Sequence, residues 1–198
     1  EFEHQIGKLV GKPFVTSVSS GTAALHCAYH ALAAKPGAEV ITPPLTFIAT
    51  QSTAIHSGLR VKFADVHPET GCIDPDSVES QITSRTVAVC AVDYAGQPGV
   101  TEDLARLCHK HGLFLIEDAA HSIGSSLNSE PIGALADLTA FSFFPTKNIT
   151  TGEGGAVVAS TASAHRRVRE FARQGLIRDP ERFHIRDEGP WHQEVHEL

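Results

Sequence analysis

Seven apolar runs of strand length recur along the chain, and most are continuous rather than alternating between apolar and polar residues. Continuous runs are typical of strands that are buried on both faces, as in a mainly parallel sheet covered by helices. The predicted strands are Phe14 to Val18, Glu39 to Thr42, Arg60 to Ala64, Thr86 to Val92, Leu113 to Ile116, Leu138 to Phe143 and Ala156 to Ala159.

Helix-like segments lie between these runs and after the last one. The alternation of strands and helices predicts an α/β fold with a seven-stranded, mostly parallel sheet and helices on both faces. The first four residues, Glu1 to His4, resemble the middle of a further helix. The other predicted helices are Thr22 to Ala33, Thr46 to His56, Asp76 to Gln81, Thr101 to Lys110 and Ala162 to Arg173.

Composition and charge exclude several classes of function. The chain has 198 residues, enough for one substantial core, and a net charge of −7 that makes nucleic acid an unsuitable partner. Its four cysteines form no CxxC pair, which predicts neither disulfides nor a zinc ribbon and favours a reducing cytoplasm. We find no signal peptide and no apolar run long enough to span a bilayer.

The twelve histidines raise the question of a metal site, particularly at Cys108-His109-Lys110-His111. That group ends the amphipathic stretch Thr101 to Lys110, where basic side chains favour a helix C-terminus and Gly112 supplies the stop. A metal site needs three or four convergent ligands, so we expect none here and assign no metal to the protein.

Residues that follow the predicted strands carry most of the candidate chemistry, because ligands of open α/β sheets collect beyond the carboxyl ends of the strands. Ser19-Ser20-Gly21-Thr22 follows the first strand and opens a helix. Hydroxyl groups and free N–H groups at a helix N-terminus suit a phosphate. An ordinary helix cap by Ser20 or Thr22 is the alternative interpretation.

Asp118 and His121 follow the fifth strand in Glu117-Asp118-Ala119-Ala120-His121. A carboxylate at a buried sheet edge needs a cationic partner, which a protonated ring nitrogen of a ligand would supply, and His121 could reach the same ligand. A helix cap and a hydrogen-bonded histidine are the alternatives. Phe47 is predicted to start the helix after the second strand and could stack on a flat ligand, although such a side chain is more often core.

Lys147 is the only basic residue between His121 and His165 and lies between an apolar run and the turn Thr150-Thr151-Gly152. A shielded amine titrates low and becomes a nucleophile toward carbonyls. A surface lysine that caps a strand is the alternative.

Taken together, five segments resemble the DegT/DnrJ/EryC1/StrS family of sugar aminotransferases, which are pyridoxal-phosphate enzymes of the aspartate-aminotransferase fold, known as fold type I. The resemblance covers essentially the whole chain. The segments are Ser-Gly-Thr-Ala-Ala-Leu at 20–25, Thr-Phe-Ile-Ala-Thr at 46–50, Asp-Tyr-Ala-Gly at 93–96, Glu-Asp-Ala-Ala-His at 117–121 and the stretch from Lys147 to Thr-Thr-Gly-Glu-Gly-Gly at 150–155.

The resemblance implies a role for each candidate residue. Lys147 would bind pyridoxal 5′-phosphate as a Schiff base and act as the general base, and Asp118 would pair with the pyridinium nitrogen. His121 would lie near the ring and its 3-oxygen, and Phe47 would stack on one face of the ring. The phosphate and the adjoining substrate pocket would be contacted by Gly21, Thr22 and Ser142.

The implied reaction transfers the amino group of L-glutamate to a nucleotide-linked 4-keto-6-deoxy sugar. Asp-Tyr-Ala-Gly at 93–96 and Gly189-Pro190-Trp191 resemble most the subgroup that makes UDP-4-amino-4,6-dideoxy-N-acetyl-β-L-altrosamine, a pseudaminic acid precursor. The enzyme that aminates UDP-4-keto-arabinose shares the Tyr-Ala-Gly piece. A dehydratase branch of the family has histidine in place of the Schiff-base lysine, so Lys147 favours amino transfer.

Complete members of the family have an earlier N-terminal segment and a C-terminal small domain. Both of these parts lie outside this chain. We therefore expect residues 1–175 to form the large cofactor-binding domain, without its N-terminal segment, and residues 176–198 to lead toward the small domain. The full-length form is expected to be a homodimer. Two alternatives are a non-catalytic remnant or interaction module of the same fold, and a generic nucleotide-binding domain, although no G-x-G-x-x-G or P-loop follows the first strand.

Overall fold

The computed structural model of the chain describes residues 1–177, 179–185 and 192–196. Within these ranges the α-helices are α1 Phe2–Val10, α2 Gly21–Ala31, α3 Ala49–His56, α4 Pro75–Gln81, α5 Glu102–His111 and α6 Ala162–Ala172. The strands are β1 Phe14–Val18, β2 Glu39–Thr42, β3 Arg60–Phe63, β4 Thr86–Val92, β5 Phe114–Asp118, β6 Ser126–Leu127, β7 Glu130–Pro131, β8 Leu138–Ser142, β9 Gly155–Ala159, β10 Leu176–Ile177 and β11 Glu194–Val195. Short 3₁₀ turns occupy Tyr94–Gly96 and Pro180–Arg182.

Seven strands form one sheet in the order β1-β9-β8-β5-β4-β2-β3. Strand β9 is antiparallel to both of its neighbours, β1 and β8, and all the other adjacent pairs are parallel. The prediction of a seven-stranded, mostly parallel sheet is therefore confirmed. The central strands β2, β8 and β9 are buried along their whole length, as their continuous apolar runs indicate.

Helices cover both faces of the sheet. Along β4, Ala88 and Cys90 pack in the core beneath α2, α3 and α6, whereas Val89 and Ala91 pack in a second core beneath α4 and α5. Successive residues of a strand point to opposite faces, so this alternation places one hydrophobic layer on each side. A third cluster lies at the β1-β9-β8 end and includes residues of α1.

Helix boundaries follow local capping chemistry. Thr101 precedes α5 and accepts a hydrogen bond from the Leu104 N–H at 3.2 Å, and Gly112 ends the helix with a φ of 64°. Thr161 caps α6 in the same way through the Ala164 N–H at 3.2 Å. The described helices are at most 11 residues long, and each of them is too short to cross a membrane.

Two predicted helices have different ends in the structure. Helix α2 begins at Gly21 rather than Thr22 because Ser20 is the cap, and it ends at Ala31 because Ala33 has a φ of +50°. Helix α3 begins at Ala49, not Thr46, because residues 43–48 form a turn that only then enters the helix. The prediction that Phe47 starts this helix is therefore wrong.

Other differences are small. Strand β5 extends to Asp118, beyond its predicted end at Ile116, and the two-residue pairs β6-β7 and β10-β11 were not predicted. All four cysteines are buried free thiols, in agreement with the prediction of no disulfide. The predicted Gly189-Pro190-Trp191 element lies outside the described residues, as do Glu197 and Leu198.

Candidate active site

A cavity of about 570 Å³ opens beyond the carboxyl ends of β4, β5 and β8. Such an edge is where open α/β sheets bind ligands. Every site residue predicted from the sequence contributes to its wall: Gly21, Thr22, Phe47, Asp118, His121, Ser142 and Lys147. The structure thus brings together side chains that are separated by as many as 126 positions along the chain.

Asp118 is the last residue of β5, and its side chain lies at the inner wall of the cavity, 6% exposed. Thr50 Oγ1 donates a hydrogen bond to Asp118 Oδ2 at 2.7 Å, and the Ala120 N–H donates to Oδ1 at 3.3 Å. Burial raises the pKa of Asp118, while these two hydrogen bonds and the charges of Lys147 and His121 oppose that rise. A cationic ligand atom beside this carboxylate would be strongly favoured.

The hydroxyl group of Thr50 links Asp118 to the interior. Thr46 Oγ1 lies 2.7 Å from Thr50 Oγ1, and Tyr29 OH donates to the Thr50 carbonyl oxygen at 2.8 Å. Thr50 is fully buried and Tyr29 is 1% exposed. Sequence reasoning used Thr46 and Thr50 only as parts of a motif, and it missed that they orient the carboxylate. Nothing in the local pattern indicates a partner 68 residues away.

Lys147 lies in the turn that follows β8 and is half-buried at the cavity wall. Its backbone N–H donates to the Phe144 carbonyl oxygen at 2.9 Å, which closes the turn. The Phe143 carbonyl oxygen accepts both the Thr150 hydroxyl and the Thr151 N–H at 3.0 Å. Burial lowers the pKa of Lys147, and the negative charge of Asp118 acts in the opposite direction.

His121 faces the same cavity from the turn after β5 and is exposed. Burial of the ring nitrogens lowers the pKa of His121, the Lys147 charge adds to this effect, and Asp118 opposes it. Burial thus acts on both side chains in the direction of the neutral form.

The N-terminus of α2 forms the opposite wall. Ser20 Oγ accepts from the Ala23 N–H at 3.1 Å, and the Ser20 carbonyl oxygen accepts from the Ala24 N–H at 3.0 Å. The N–H groups of Gly21 and Thr22 have no hydrogen-bond partner within the described part of the chain. The two interpretations of this turn are therefore compatible, because Ser20 caps the helix while two N–H groups stay available for an anion.

Gly21 is required by a close approach between α2 and β8. A Cβ at position 21 would lie 2.7 Å from Ser142 Cβ and 3.0 Å from Ser142 Oγ, shorter than real contacts of this kind. Gly155 is required in the same way, because a Cβ there would lie 2.3 Å from the Ser20 carbonyl oxygen. Two glycines thus bring the helix N-terminus onto the ends of β8 and β9.

Phe47 lies at the mouth of the cavity, where its side chain is 74% exposed. Other exposed large apolar residues lie nearby in the chain or in the cavity wall: Leu45, Ile48, Tyr94 and Phe144. An aromatic ring at this place is available to stack on a flat ligand and is not needed for the core.

Asp93 is a buried carboxyl group of the cavity that sequence reasoning did not single out. Ser122 Oγ donates to its Oδ2 in a short hydrogen bond, and the Gly99 N–H donates to its Oδ1 at 2.7 Å. Burial raises the pKa of Asp93 to about 7, against the effect of these hydrogen bonds. Through them Asp93 ties the 93–99 loop to the turn that carries His121.

The chain is similar in sequence and in fold to known proteins. The family profile described as the DegT/DnrJ/EryC1/StrS aminotransferase family matches residues 1–188. A GDP-perosamine synthase from Vibrio cholerae is 36% identical over 183 residues, which are 92% of this chain and 50% of that protein. A UDP-4-amino-4,6-dideoxy-N-acetyl-beta-L-altrosamine transaminase from Campylobacter jejuni is 35% identical over 181 residues, 90% of this chain and 48% of that protein.

Among solved structures, the chain is similar to Helicobacter pylori PseC, described as an aminotransferase involved in the biosynthesis of pseudoaminic acid. The TM-score is 0.89 at 31% identity, over 100% of this chain and 51% of that chain. The chain spans about half the length of the curated relatives it matches.

Proposed function

The chain belongs to the DegT/DnrJ/EryC1/StrS aminotransferase family, whose enzymes depend on pyridoxal 5′-phosphate, and we propose that it forms the cofactor-binding part of a sugar aminotransferase. The reaction we propose moves the amino group of L-glutamate to a nucleotide-linked 4-keto-6-deoxy sugar. The observation that carries the proposal is that Lys147 and Asp118 line one cavity, each close enough to shift the pKa of the other.

The residues of the cavity fit the parts of the cofactor. Two N–H groups without partners among the described residues, those of Gly21 and Thr22, lie at a helix N-terminus that suits a phosphate. The buried carboxylate of Asp118 suits a protonated ring nitrogen. Gly21 keeps Ser142 within contact of the helix, which leaves the Ser142 hydroxyl group at the phosphate end or at the adjoining substrate.

Lys147 would hold the cofactor through Nζ and later carry a proton on the same atom. Both roles require the neutral amine, and burial favours that form by lowering the Lys147 pKa. The turn hydrogen bonds at the Phe143 and Phe144 carbonyl oxygens fix the backbone from which the Lys147 side chain extends at the cavity wall.

Asp118 would keep a proton on the ring nitrogen. Bound pyridoxal phosphate supplies an electron sink that makes the α-proton of the amino donor acidic enough to remove. Thr50 and Ala120 hold the carboxylate oxygens in place, so the ion pair forms without reorganisation of the protein.

His121 and Phe47 would position the ring. A neutral His121 can donate or accept a hydrogen bond without adding charge beside Lys147. The exposed ring of Phe47 would cover one face of the cofactor and exclude water from it.

The names of the two curated relatives support a nucleotide-linked sugar as acceptor, one being a GDP-perosamine synthase and the other a UDP-altrosamine transaminase. We propose a UDP-sugar of the pseudaminic acid route, with surface glycan as the end product. Asp-Tyr-Ala-Gly at 93–96 supports this choice, and Tyr94, which lines the cavity, would contact the sugar.

We propose that residues 1–175 are the cofactor-binding domain and that residues 176–198 lead toward a second domain. Since this chain spans half of its relatives, the rest of the substrate site would come from that domain and from a second subunit of a homodimer. The four buried free thiols support a reducing cytoplasm as the place of reaction.

Absorbance of the purified chain mixed with pyridoxal phosphate tests the proposal. We expect a visible band that borohydride fixes to the protein, and mass spectrometry should locate the adduct on Lys147. Lys147→Ala should abolish both the band and the adduct. Lys147→Arg is the matched control for charge, since it keeps the cation and removes the primary amine.

L-glutamate should then bleach the visible band, and a UDP-4-keto-6-deoxy sugar should restore it. Failure to form any band or adduct would overturn the catalytic proposal. A band that L-glutamate does not bleach would favour the alternative of a non-catalytic remnant that binds the cofactor. A response to GDP-sugars alone would correct the nucleotide.

A further inference from the structure

Histidine side chains surround one glutamate at the C-terminal end of the described chain. His184, His192 and His196 each have a ring nitrogen within 3.5 Å of a carboxylate oxygen of Glu194. None of these four residues is among the described residues that line the cavity at Lys147. The cluster therefore needs an explanation separate from amino transfer.

Glu194 is held as a fixed carboxylate. The His184 N–H donates to its Oε2 and the Ile185 N–H to its Oε1, both at 2.8 Å, and the side chain is only 10% exposed. These two backbone hydrogen bonds orient the carboxylate, and each of its oxygens keeps a lone pair for one more partner.

Two histidines converge on the same oxygen of this carboxylate. His196 Nε2 lies 3.0 Å and His184 Nδ1 lies 3.5 Å from Glu194 Oε2, and one ligand atom from each of the three residues lies within 4.8 Å of the others. Zinc bonds of about 2.0–2.1 Å in a tetrahedron separate neighbouring ligand atoms by about 3.3 Å. The two measured distances bracket that value.

His192 supports the arrangement from the other side. Its Nε2 lies 3.3 Å from Glu194 Oε1, and its ring packs edge-on against Phe183 with centroids 4.8 Å apart. Partners that hold the outer atoms of metal-binding side chains orient those ligands and raise affinity.

The donor atoms of this cluster suit a transition metal. The rings of His184 and His196 are stacked with centroids 4.5 Å apart and an interplanar angle of 14°. Two imidazole nitrogens with one carboxylate oxygen are a donor set that suits zinc better than magnesium or calcium.

We propose that His184, Glu194 and His196 bind one divalent transition-metal ion, with Zn²⁺ as the best fit. The His184 side chain is 81% exposed, so the fourth position is open to water. The ion would fasten β11 to residues 183–185 and, through the hydrogen bond from the His196 N–H to the Gly175 carbonyl oxygen at 3.0 Å, to the turn between α6 and β10. The sequence pattern did not indicate this site, because its ligands come from both sides of a ten-residue interval.

Zinc titration of the metal-free chain at pH 7.5, in competition with a chromophoric chelator, tests the proposal. We expect one Zn²⁺ per chain with micromolar or tighter affinity, and no competition from excess Mg²⁺. His184→Asn and His196→Asn should each weaken binding at least about tenfold, and His192→Gln should weaken it less. His109→Asn, which changes an exposed histidine of α5, is the matched control and should bind as the unchanged protein does.

Thermal unfolding provides a second readout that does not depend on the cofactor. Zn²⁺ should raise the unfolding midpoint of the unchanged chain and of His109→Asn, and it should leave that of His196→Asn unchanged. Circular dichroism of His196→Asn without metal should match the unchanged chain. Absence of stoichiometric zinc binding, or equal binding by His184→Asn, His196→Asn and the control, would overturn the proposal whatever the fate of the proposed amino transfer.

Discussion

Thr50 shows how one hydroxyl group can orient the carboxylate that we propose binds the cofactor ring. We expect Thr50→Val to lower the rate of the half-reaction with L-glutamate about 10- to 100-fold, since a hydrogen bond to a charged group contributes about 1.5–3 kcal/mol. The rate would be followed by bleaching of the visible band. Thr53→Val is the control, because Thr53 lies on the same helix and donates only to the Ala49 carbonyl oxygen, at 2.7 Å. Equal rates for the two variants would contradict the role of Thr50.

The prediction at Gly21 concerns steric packing rather than charge. Gly21→Ala places a Cβ 2.7 Å from Ser142 Cβ, and overpacking of this kind costs typically about 1–3 kcal/mol. We expect a lower free energy of unfolding and weaker cofactor binding. The double variant Gly21→Ala/Ser142→Gly should recover most of the stability, as measured by urea unfolding. No recovery would show that the clash is with something other than Ser142.

Glu117 makes the stability of the fold depend on pH. Burial raises the pKa of Glu117 to about 8, with the Asp93 charge in support and a hydrogen bond from Thr139 Oγ1 at 3.2 Å in opposition. The folded state therefore keeps a proton that the unfolded state releases near pH 4.5, so this contribution to stability is lost as the pH rises from about 4.5 to about 8.

Glu117→Gln should reduce the loss of unfolding free energy between pH 5 and pH 9, since the amide cannot ionise. Urea unfolding at several pH values measures the slope. Glu130→Gln changes an exposed carboxylate in β7 and should leave the slope as it is in the unchanged protein. A slope that Glu117→Gln does not alter would mean that Glu117 is already ionised in the fold.

At the scale of elements, aromatic rings join α2 to α6. His30 stacks on Phe171 with centroids 4.2 Å apart, and His26 meets the edge of the same ring at 4.8 Å. Burial lowers the pKa of both histidines. A histidine that is neutral in the fold must gain a proton on unfolding in acid, so this stability is present above about pH 6.5 and is lost as the pH falls.

We expect His30→Phe to keep the stacking on Phe171 and to flatten the fall in unfolding free energy between pH 7 and pH 5. His109→Asn, on the exposed side of α5, should keep the fall. An identical fall in His30→Phe would exclude His30 as its source. The direction is opposite to that of Glu117, so the two variants can be told apart in the same series of measurements.

The sequence predicts an element well where one local pattern decides it, and less well where a turn and a helix compete for the same residues. Most strands of the large sheet are continuous apolar runs, and the predicted ends of all seven lie within two residues of the observed ends. The start of α3 is predicted too early because residues 43–48 form a turn before the helix begins. Most cavity residues could be predicted because they lie at or soon after the carboxyl end of a strand, as Asp118 and His121 do at the end of β5. The partners of those residues, Thr50 for Asp118 and Ser122 for Asp93, depend on tertiary packing that no local pattern carries.

At the scale of the whole molecule, exposed apolar side chains near the cavity mouth suggest where a second subunit would bind. Phe47 is 74% and Ile48 is 65% exposed. We expect Ile48→Asp to weaken self-association at least tenfold, because it puts a charge into the proposed dimer interface. Asp is a favourable residue before a helix, and Ile48 caps α3, so the fold should persist.

Analytical ultracentrifugation over a range of concentrations measures this association. Leu135→Asp changes a residue that is 40% exposed and lies just before β8, at the opposite end of that strand from the cavity. This variant should associate as the unchanged chain does. A dimer that Ile48→Asp leaves intact would place the interface elsewhere.

The pairing of β1 with β9 fixes the order in which the site can be completed. Phe14 lies opposite Ala159, so the first strand of the chain pairs with a strand that is synthesised almost 150 residues later. Contacts of such long sequence separation form late in folding. During synthesis on a ribosome, the N-terminus of α2 cannot pack on β8 and β9 until Gly155 has emerged, and a shorter nascent chain lacks part of the wall that we propose binds the phosphate. Binding of the cofactor would therefore report that the sheet is complete.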